Sequence, residues 1–183
     1  MLAPPYPTFP VLATERLRLR ELADDDAPAL LAMFSDPEVM RYWGRPPFSD
    51  IADARELLDR IRRGYREGRG IEWAVTLAGD DRLIGKVCHH RILAEHHRAE
   101  MGYGLARAAW RNGYAVEALR AIVDFGFGQM GLHSIEAQLD PDNLASRRTL
   151  ERLGFVEEGH LRENFRYPDG RFGDTAIYSL LAR

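Results

Sequence analysis

The chain of 183 residues contains one cysteine, Cys88, so no internal disulfide framework can form and a reducing compartment is expected. No apolar run approaches the roughly 18–20 residues of a membrane span, and no membrane partner is expected. The opening MLAPPYPTFPVLA lacks both the charged and the continuous apolar regions of a signal peptide, which points to the cytoplasm. Positive charge is not in excess either: the formal net charge is −3 and the arginines are spread out. That pattern gives no footprint for nucleic acid. The one locally basic run, RIRRGYREGR, reads as a solvated helix end. There is no repeat and no low-complexity segment.

What is present is enough for a single domain over residues 1–183, able to bury about 70% of the unfolded chain's surface without metals or staples. Residues 1–13, with four prolines, read as an irregular lead-in. RLRLREL then alternates Leu17 and Leu19 against arginines, a half-buried strand. DDDAPALLAMF and SDPEVMRYW each begin with aspartate and an early proline, as helices do, Asp36 capping the second ahead of Pro37. SDIADARELLDRIRRGYREG sets Ile51, Ala54, Leu58, Ile61 and Tyr65 on one helical stripe. IEWAVTLA, RLIGKVCHHRI and AEMGYGLA are three strands, the first two joined by a GDD turn. A long helix, the strand HSIEAQLD, the capped helix NLASRRTLERLGF and the strand TAIYSLLAR complete the chain. Strands that cluster instead of alternating strictly with helices imply an α+β fold with a mixed or antiparallel sheet.

The stretch ARAAWRNGYAVEALRAIVDFGFGQMG places Gly113 at the entrance of the long helix. The first amides of a helix lack internal partners, and its dipole adds about half a positive charge there. An anion can dock on those donors, and a residue without Cβ lets it come close. A glycine that merely permits a turn accounts for the local sequence equally well. A P-loop is excluded, because no lysine follows the glycine. GFGQMG (Gly126 to Gly131) matches the dinucleotide fingerprint G-x-G-x-x-G, but it ends a helix where the fingerprint must open one. It reads as a helix C-terminus with Gly131 as a left-handed cap. CHHRILAEHHRAE holds four of the six histidines beside Cys88. Adjacent strand residues point to opposite faces and the ligand spacing of a zinc site is missing, so a polar hairpin end is expected and no metal.

AEMGYGLARAAWRNGYAVEAL followed by LDPDNLASRRTLERLGFVEEG resembles the two signature blocks of the GNAT superfamily of acyl-CoA-dependent N-acetyltransferases. The phosphate loop of that family is Q/R-x-x-G-x-G/A, with Trp frequent at the first position in the RimJ/RimL-like branch. Trp110-Arg111-Asn112-Gly113-Tyr114-Ala115 fits the variant, and Glu117-Ala118 follows as in that branch. LATERLRLREL, DPEVMRYW and LIGKV also look like the branch, so the resemblance spans nearly the whole chain. It implies a three-layer α/β/α arrangement whose mixed, largely antiparallel sheet splays between the fourth and fifth strands, AEMGYGLA and HSIEAQLD. The pantetheine arm of acetyl-CoA, the implied cosubstrate, would lie in the gap. The backbone of Tyr103, Gly104 and Leu105 would flank the arm, and the amides of Arg111, Asn112, Gly113, Tyr114 and Ala115 would hold the pyrophosphate. Asn143 would reach the arm or the substrate. Relatives often dimerise, so a second copy is a candidate partner.

Acetyl transfer needs a neutral amine, a polarised carbonyl and a tolerable thiolate. A strand amide near Leu105 can polarise the carbonyl. The tyrosine that many members place four residues before the Gly-Phe of the second block is replaced by Leu150. Ser146 is the substitute candidate for protonating the thiolate, its alternative being a hydroxyl bonded to helix backbone. At pH 7, neutralising an α-amine of pKa near 8 costs roughly 1 kcal/mol, whereas a lysine ε-amine costs roughly 5 kcal/mol. A site without an unmistakable acid/base pair therefore suits an α-amine, such as a protein or peptide N-terminus. Glu100 is the candidate base, directly or through water, and an ordinary strand-edge carboxylate is its alternative. Glu136 and Gln138 share a face that can also reach the cleft. Tyr42, Trp43 and Tyr65 either line the acceptor pocket or pack. A small-molecule amine acceptor and a CoA-binding module without turnover stay open.

Overall fold

The computed structural model describes residues 3–182. Strands β1 (Leu12–Ala13), β2 (Leu17–Arg20), β3 (Gly70–Leu77), β4 (Asp80–Leu93), β5 (Arg98–Leu105), β6 (Ser134–Leu139), β7 (Val156–Arg166) and β8 (Phe172–Leu181) form one sheet. Their order is β1-β2-β3-β4-β5-β6-β8-β7, antiparallel throughout except for the parallel pair β5/β6. That pair is joined by the long helix α4 (Tyr114–Gly128), as a parallel connection requires.

Two helical layers cover the sheet. Period-2 alternation sends Ile71, Trp73 and Val75 of β3 to one face, where they meet Leu119 and Ile122 of α4 and Leu150 of α5 (Leu144–Arg152). Ala74, between them, faces the other way, into the cluster of α1 (Ala27–Ser35), α2 (Pro37–Met40) and α3 (Ile51–Arg66). Full burial of residues such as Leu119 and Ile122 contributes roughly 1.5–3 kcal/mol each. Two helix starts follow their expected caps, whereas Asp26 before α1 makes no side-chain cap and pairs with Arg20 at 2.8 Å instead. Asp36 accepts from the Glu38 amide at 2.8 Å, and Asp50 accepts from the Ala52 amide at 2.7 Å.

Three expectations need correction. The lead-in is not wholly irregular, since Leu12 and Ala13 pair with Leu19 and Arg18. VEEGHLRENFR, assigned no structure from its pattern, is the edge strand β7. It is exposed along almost its whole length, so neither face imposes an apolar alternation. The paired histidines are not all at a hairpin end. His96 and His97 are, but His89 lies in mid-strand, fully buried beneath α4, its Nε2 2.8 Å from the Ile122 carbonyl oxygen. A Cβ on Gly126 would stand 3.1 Å from that nitrogen, so the first glycine of the false dinucleotide fingerprint is a close-packing residue. Gly131 has the expected left-handed backbone, with φ +68°.

The feature that positions the site is a split. β5 and β6 pair only through Arg98↔Ser134, Ala99↔Ile135 and Glu100↔Glu136. Beyond Glu100, β5 stays paired to β4 as far as Leu105 while β6 continues against β8. A V opens between them, its arm along β5 running roughly 17 Å from Glu100 to Leu105. The splay expected between the fourth and fifth strands is this one, the count having moved because β1 was not foreseen.

Candidate active site

At the mouth of the V, the chain leaves β5 and enters α4 through residues 106–113. Arg111 and Gly113 are both left-handed, with φ +63° and +80°. Gly113 is the N-cap of α4 and provides no side-chain cap. The first intrahelical bond runs from the Glu117 amide to the Gly113 carbonyl at 3.2 Å, so the amides of Tyr114, Ala115 and Val116 precede the ladder. Side chains brace the loop. Trp110 donates its Nε1–H to the Leu105 carbonyl at 2.9 Å, and Asn112 donates its amide to the Trp110 carbonyl at 3.0 Å. Arg16 donates to the Asn112 carbonyl at 3.0 Å and pairs with Glu117 at 2.6 Å. Glu117 also accepts from Thr14 Oγ1 at 2.5 Å and from the Arg16 amide at 2.9 Å. These bonds hold its carboxyl below the ordinary carboxylate range, against the upward push of burial. The helix start offers amide donors suited to an anion and is locked from the β1–β2 side. The brace is not legible from local spacing, because Arg16 and Glu117 are 101 residues apart.

Along the V, the β6-facing edge of residues 101–105 has no strand partner among the described residues, which leaves its peptide groups, the Leu105 carbonyl bonded by Trp110 excepted, open to an extended arm. Tyr103 points to the α4 side, where its hydroxyl and the Ser146 hydroxyl lie 2.7 Å apart, joining β5 to α5 across the opening. Ser146 therefore bonds a side chain, not helix backbone as its alternative had it. Burial raises the Tyr103 phenol, against the lowering effect of hydrogen bonds to Ser146 and Thr149. Asn143 caps α5, its Oδ1 accepting from the Ser146 amide at 3.1 Å. Leu150 is buried in the α4-side core cluster, against which Tyr103 also packs.

The opposite face of the same strands is polar. Glu72, Lys86, Cys88, His90 and Glu100 stand on it in register with Gly102 and Gly104. Lys86, the chain's only lysine, is buried and ion-paired with Glu72. Burial alone would lower its pKa, but Glu72 and Cys88 outweigh that and raise it. Glu100 pairs with Arg91 at 3.0 Å and lies 3.6 Å from His90 Nε2. Glu136 pairs with Arg98 and accepts from Gln138 at 2.9 Å. Burial pushes the Cys88 thiol up to about 12, which removes it as a thiolate nucleophile. Of the three aromatics considered for the acceptor side, Trp43 lies against Gly104, where a Cβ would come within 2.9 Å of its ring. Tyr42 donates to the Asp142 carbonyl at 3.1 Å, beside the V. Tyr65 is elsewhere, packing on Phe9 and accepting from the Tyr6 amide at 3.0 Å. His90 and the phenol of Tyr103 are the groups that sequence reasoning did not single out; the period-2 face shared with Glu100 was the available signal for His90.

A sheet opened into a V, with unpartnered helix amides at its mouth and a polar face beside its apex, defines an acyl-carrier-dependent transferase. The comparisons narrow the class. The family model described as the acetyltransferase (GNAT) domain matches residues 16–156, and the chain belongs to that family. It is an acetyl-CoA-dependent N-acetyltransferase. The chain is 40% identical over 173 residues to the uncharacterized N-acetyltransferase YoaA of Bacillus subtilis, covering 94% of this chain and 97% of that one. It is 28% identical to the spermidine N(1)-acetyltransferase of Vibrio cholerae over 160 residues, 87% of this chain and 90% of that protein. A solved structure of Vibrio cholerae spermidine N-acetyltransferase with CoA and spermine superposes with a TM-score of 0.80 at 27% identity, covering 92% and 96% of the two chains.

Proposed function

We propose that the chain transfers the acetyl group of acetyl-CoA to the N-terminal α-amine of a protein or peptide by direct attack. The charge balance of the acceptor face carries this choice. Glu72, Glu100 and Glu136 are matched by Lys86, Arg91 and Arg98 of the chain itself. Asp140 is engaged by the Tyr167 hydroxyl at 2.5 Å and the Asp142 amide at 2.8 Å. A polyamine brings several charges that call for unpaired carboxylates, whereas an N-terminus brings one. The reading keeps the enzyme in the RimJ/RimL-like branch, acting in the cytoplasm as a single catalytic domain.

In this reading the amides of Arg111 to Ala115 hold the pyrophosphate, and the backbone of Tyr103, Gly104 and Leu105 flanks the arm. Asn143 contacts the arm from the cap of α5. Ser146, with Tyr103 beside it, stabilises the departing thiolate. Glu100 takes part in removing the amine proton. Acetyl-CoA supplies the activated acyl group. A second reading, a small polyamine acceptor, is favoured by the Vibrio cholerae relative named for spermidine. CoA release measured with unblocked peptides, N-terminally blocked lysine peptides and spermidine separates them. Turnover of unblocked peptides at least tenfold above the others is expected; preferential turnover of spermidine would reverse the assignment.

A further inference from the structure

Resting on the reading just given, we propose that His90 is the group that receives the proton of the attacking amine, with Glu100 orienting its ring. The β4–β5 register sets His90 opposite Glu100, and Glu100 opposite Glu136 is the last rung before the strands part. His90 therefore stands at the apex of the V, on the face where Trp43 covers Gly104.

Glycines flank His90 on both neighbouring strands. Gly70 flanks it on β3, where a Cβ would lie 3.3 Å from the His90 Cα. Gly102 flanks it on β5, where a Cβ would lie 3.4 Å from Nε2. The ring rests on a strip of bare backbone with its side chain 36% exposed, while the carboxylate of Glu100 is only 15% exposed. Glu100 Oε2 accepts from Arg91 at 3.0 Å, and Oε1 lies 3.6 Å from His90 Nε2, close enough for an electrostatic contact. A carboxylate held by a guanidinium is a weak proton acceptor. Its charge beside Nε2 favours the tautomer protonated there, which in the proposed role gives the Nδ1 lone pair to the substrate.

The charged and titratable groups facing the ring are Glu100 on β5, Glu72 on β3, and Lys86, Cys88 and Arg91 on β4. Burial lowers the imidazole pKa; Glu100 and Glu72 oppose that, and Lys86 and Arg91 reinforce it. The net direction is downward, which keeps the ring neutral and able to accept at pH 7. In the reaction the amine nitrogen bonds to the thioester carbonyl carbon and its proton passes to Nδ1. The C–S bond breaks with its electron pair on sulfur, the CoA thiolate takes a proton from solvent, and His90 returns its proton to solvent.

The test is the pH dependence of kcat/KM for a hexapeptide with a free N-terminal alanine, with acetyl-CoA Kd measured beside it. His90→Gln is expected to lower kcat/KM on the order of 10²-fold at pH 7 with Kd unchanged. Because Nδ1 takes the proton as the C–N bond forms, the deficit persists above the amine's own pKa, near 8. Should that variant lose acetyl-CoA binding through misfolding, two neighbours give the same answer. Glu100→Gln moves the acidic limb of the profile to lower pH, and Arg91→Gln moves it to higher pH. In wild type this is a second acidic limb, below the one set by the amine, and it coincides with the NMR titration of the His90 ring. A wild-type profile in His90→Gln, or abolition of the limb in Glu100→Gln, overturns the inference. If wild type acetylates spermidine and not the peptide, the acceptor reading fails, and the same profiles with spermidine still decide the role of His90.

Discussion

On the α4 side, β3, β4 and β5 present Ile71, Trp73, Val75, Val87, Ala99 and Met101, packed beneath the helix. On the other side the same strands present Glu72, Lys86, Cys88, His90, Glu100, Gly102 and Gly104. In the proposed reading the cosubstrate is met mainly through backbone: helix amides, an open strand edge and a glycine. Peptide groups do not titrate and depend little on side-chain identity, so that half of the site needs only the fold to be right. The second face works with ionisable side chains, each of which must be matched or it destabilises the protein. Cosubstrate binding is therefore tied to backbone conformation, and acceptor handling to charge balance.

Removing a cation from the polar face should cost most. Lys86→Met leaves Glu72 half-buried and uncompensated, with an expected loss of about 3 kcal/mol in urea unfolding at pH 7. An unchanged midpoint would mean that solvent screens the pair and that the face tolerates imbalance.

The apolar face holds one titratable intruder, His89, whose pKa burial lowers from 6.5 to about 4. Its Nδ1 is buried without a hydrogen-bond partner among the described residues. Because the folded pKa lies below the unfolded one, the unfolded chain binds more protons between pH 6.5 and 4. Stability from this residue is complete above pH 6.5 and is lost as pH falls towards 4, about 3 kcal/mol in all. His89→Leu should flatten that part of the stability-versus-pH curve in denaturant titrations; a slope equal to wild type would contradict its burial as a neutral ring.

At the cradle, Gly113→Val forces a branched residue into φ +80° and sets a Cβ 3.4 Å from the Arg16 guanidinium. The strain is roughly 1–2 kcal/mol. Acetyl-CoA Kd should rise roughly tenfold by calorimetry, with the acceptor KM nearly constant; the opposite split would place the cosubstrate elsewhere. Smallest of all, Tyr103→Phe and Ser146→Ala each remove one neutral hydrogen bond across the V. Each should lower kcat roughly threefold and leave acetyl-CoA Kd within twofold. A hundredfold loss in either would show full proton donation to the thiolate instead of hydrogen bonding.

Much of the fold could be read from periodicity. The strands β3 to β6, the capped helices and the anion-binding helix entrance each carry their signal within a dozen residues. β7 carried none, since an exposed edge strand has no buried face to write a pattern. The glycines of GFGQMG were read as a helix end, as the structure has them, but what Gly126 accommodates is His89, from another element. Glu100 was visible as a strand carboxylate, but its neighbours Arg91 and His90 lie at register positions that sequence does not state.

Sequence by itself determined the local devices: the caps, the alternating strands, and a helix that starts on a left-handed glycine, because these follow from contacts between residues close in the chain. Only the tertiary structure decided where β5 and β6 part, that Arg16 locks the phosphate loop, and that Tyr103 meets Ser146 across the opening. Those depend on strand register and helix docking, where residues 43 to 101 positions apart come within hydrogen-bonding distance. No local propensity encodes such a distance; packing of the whole chain does.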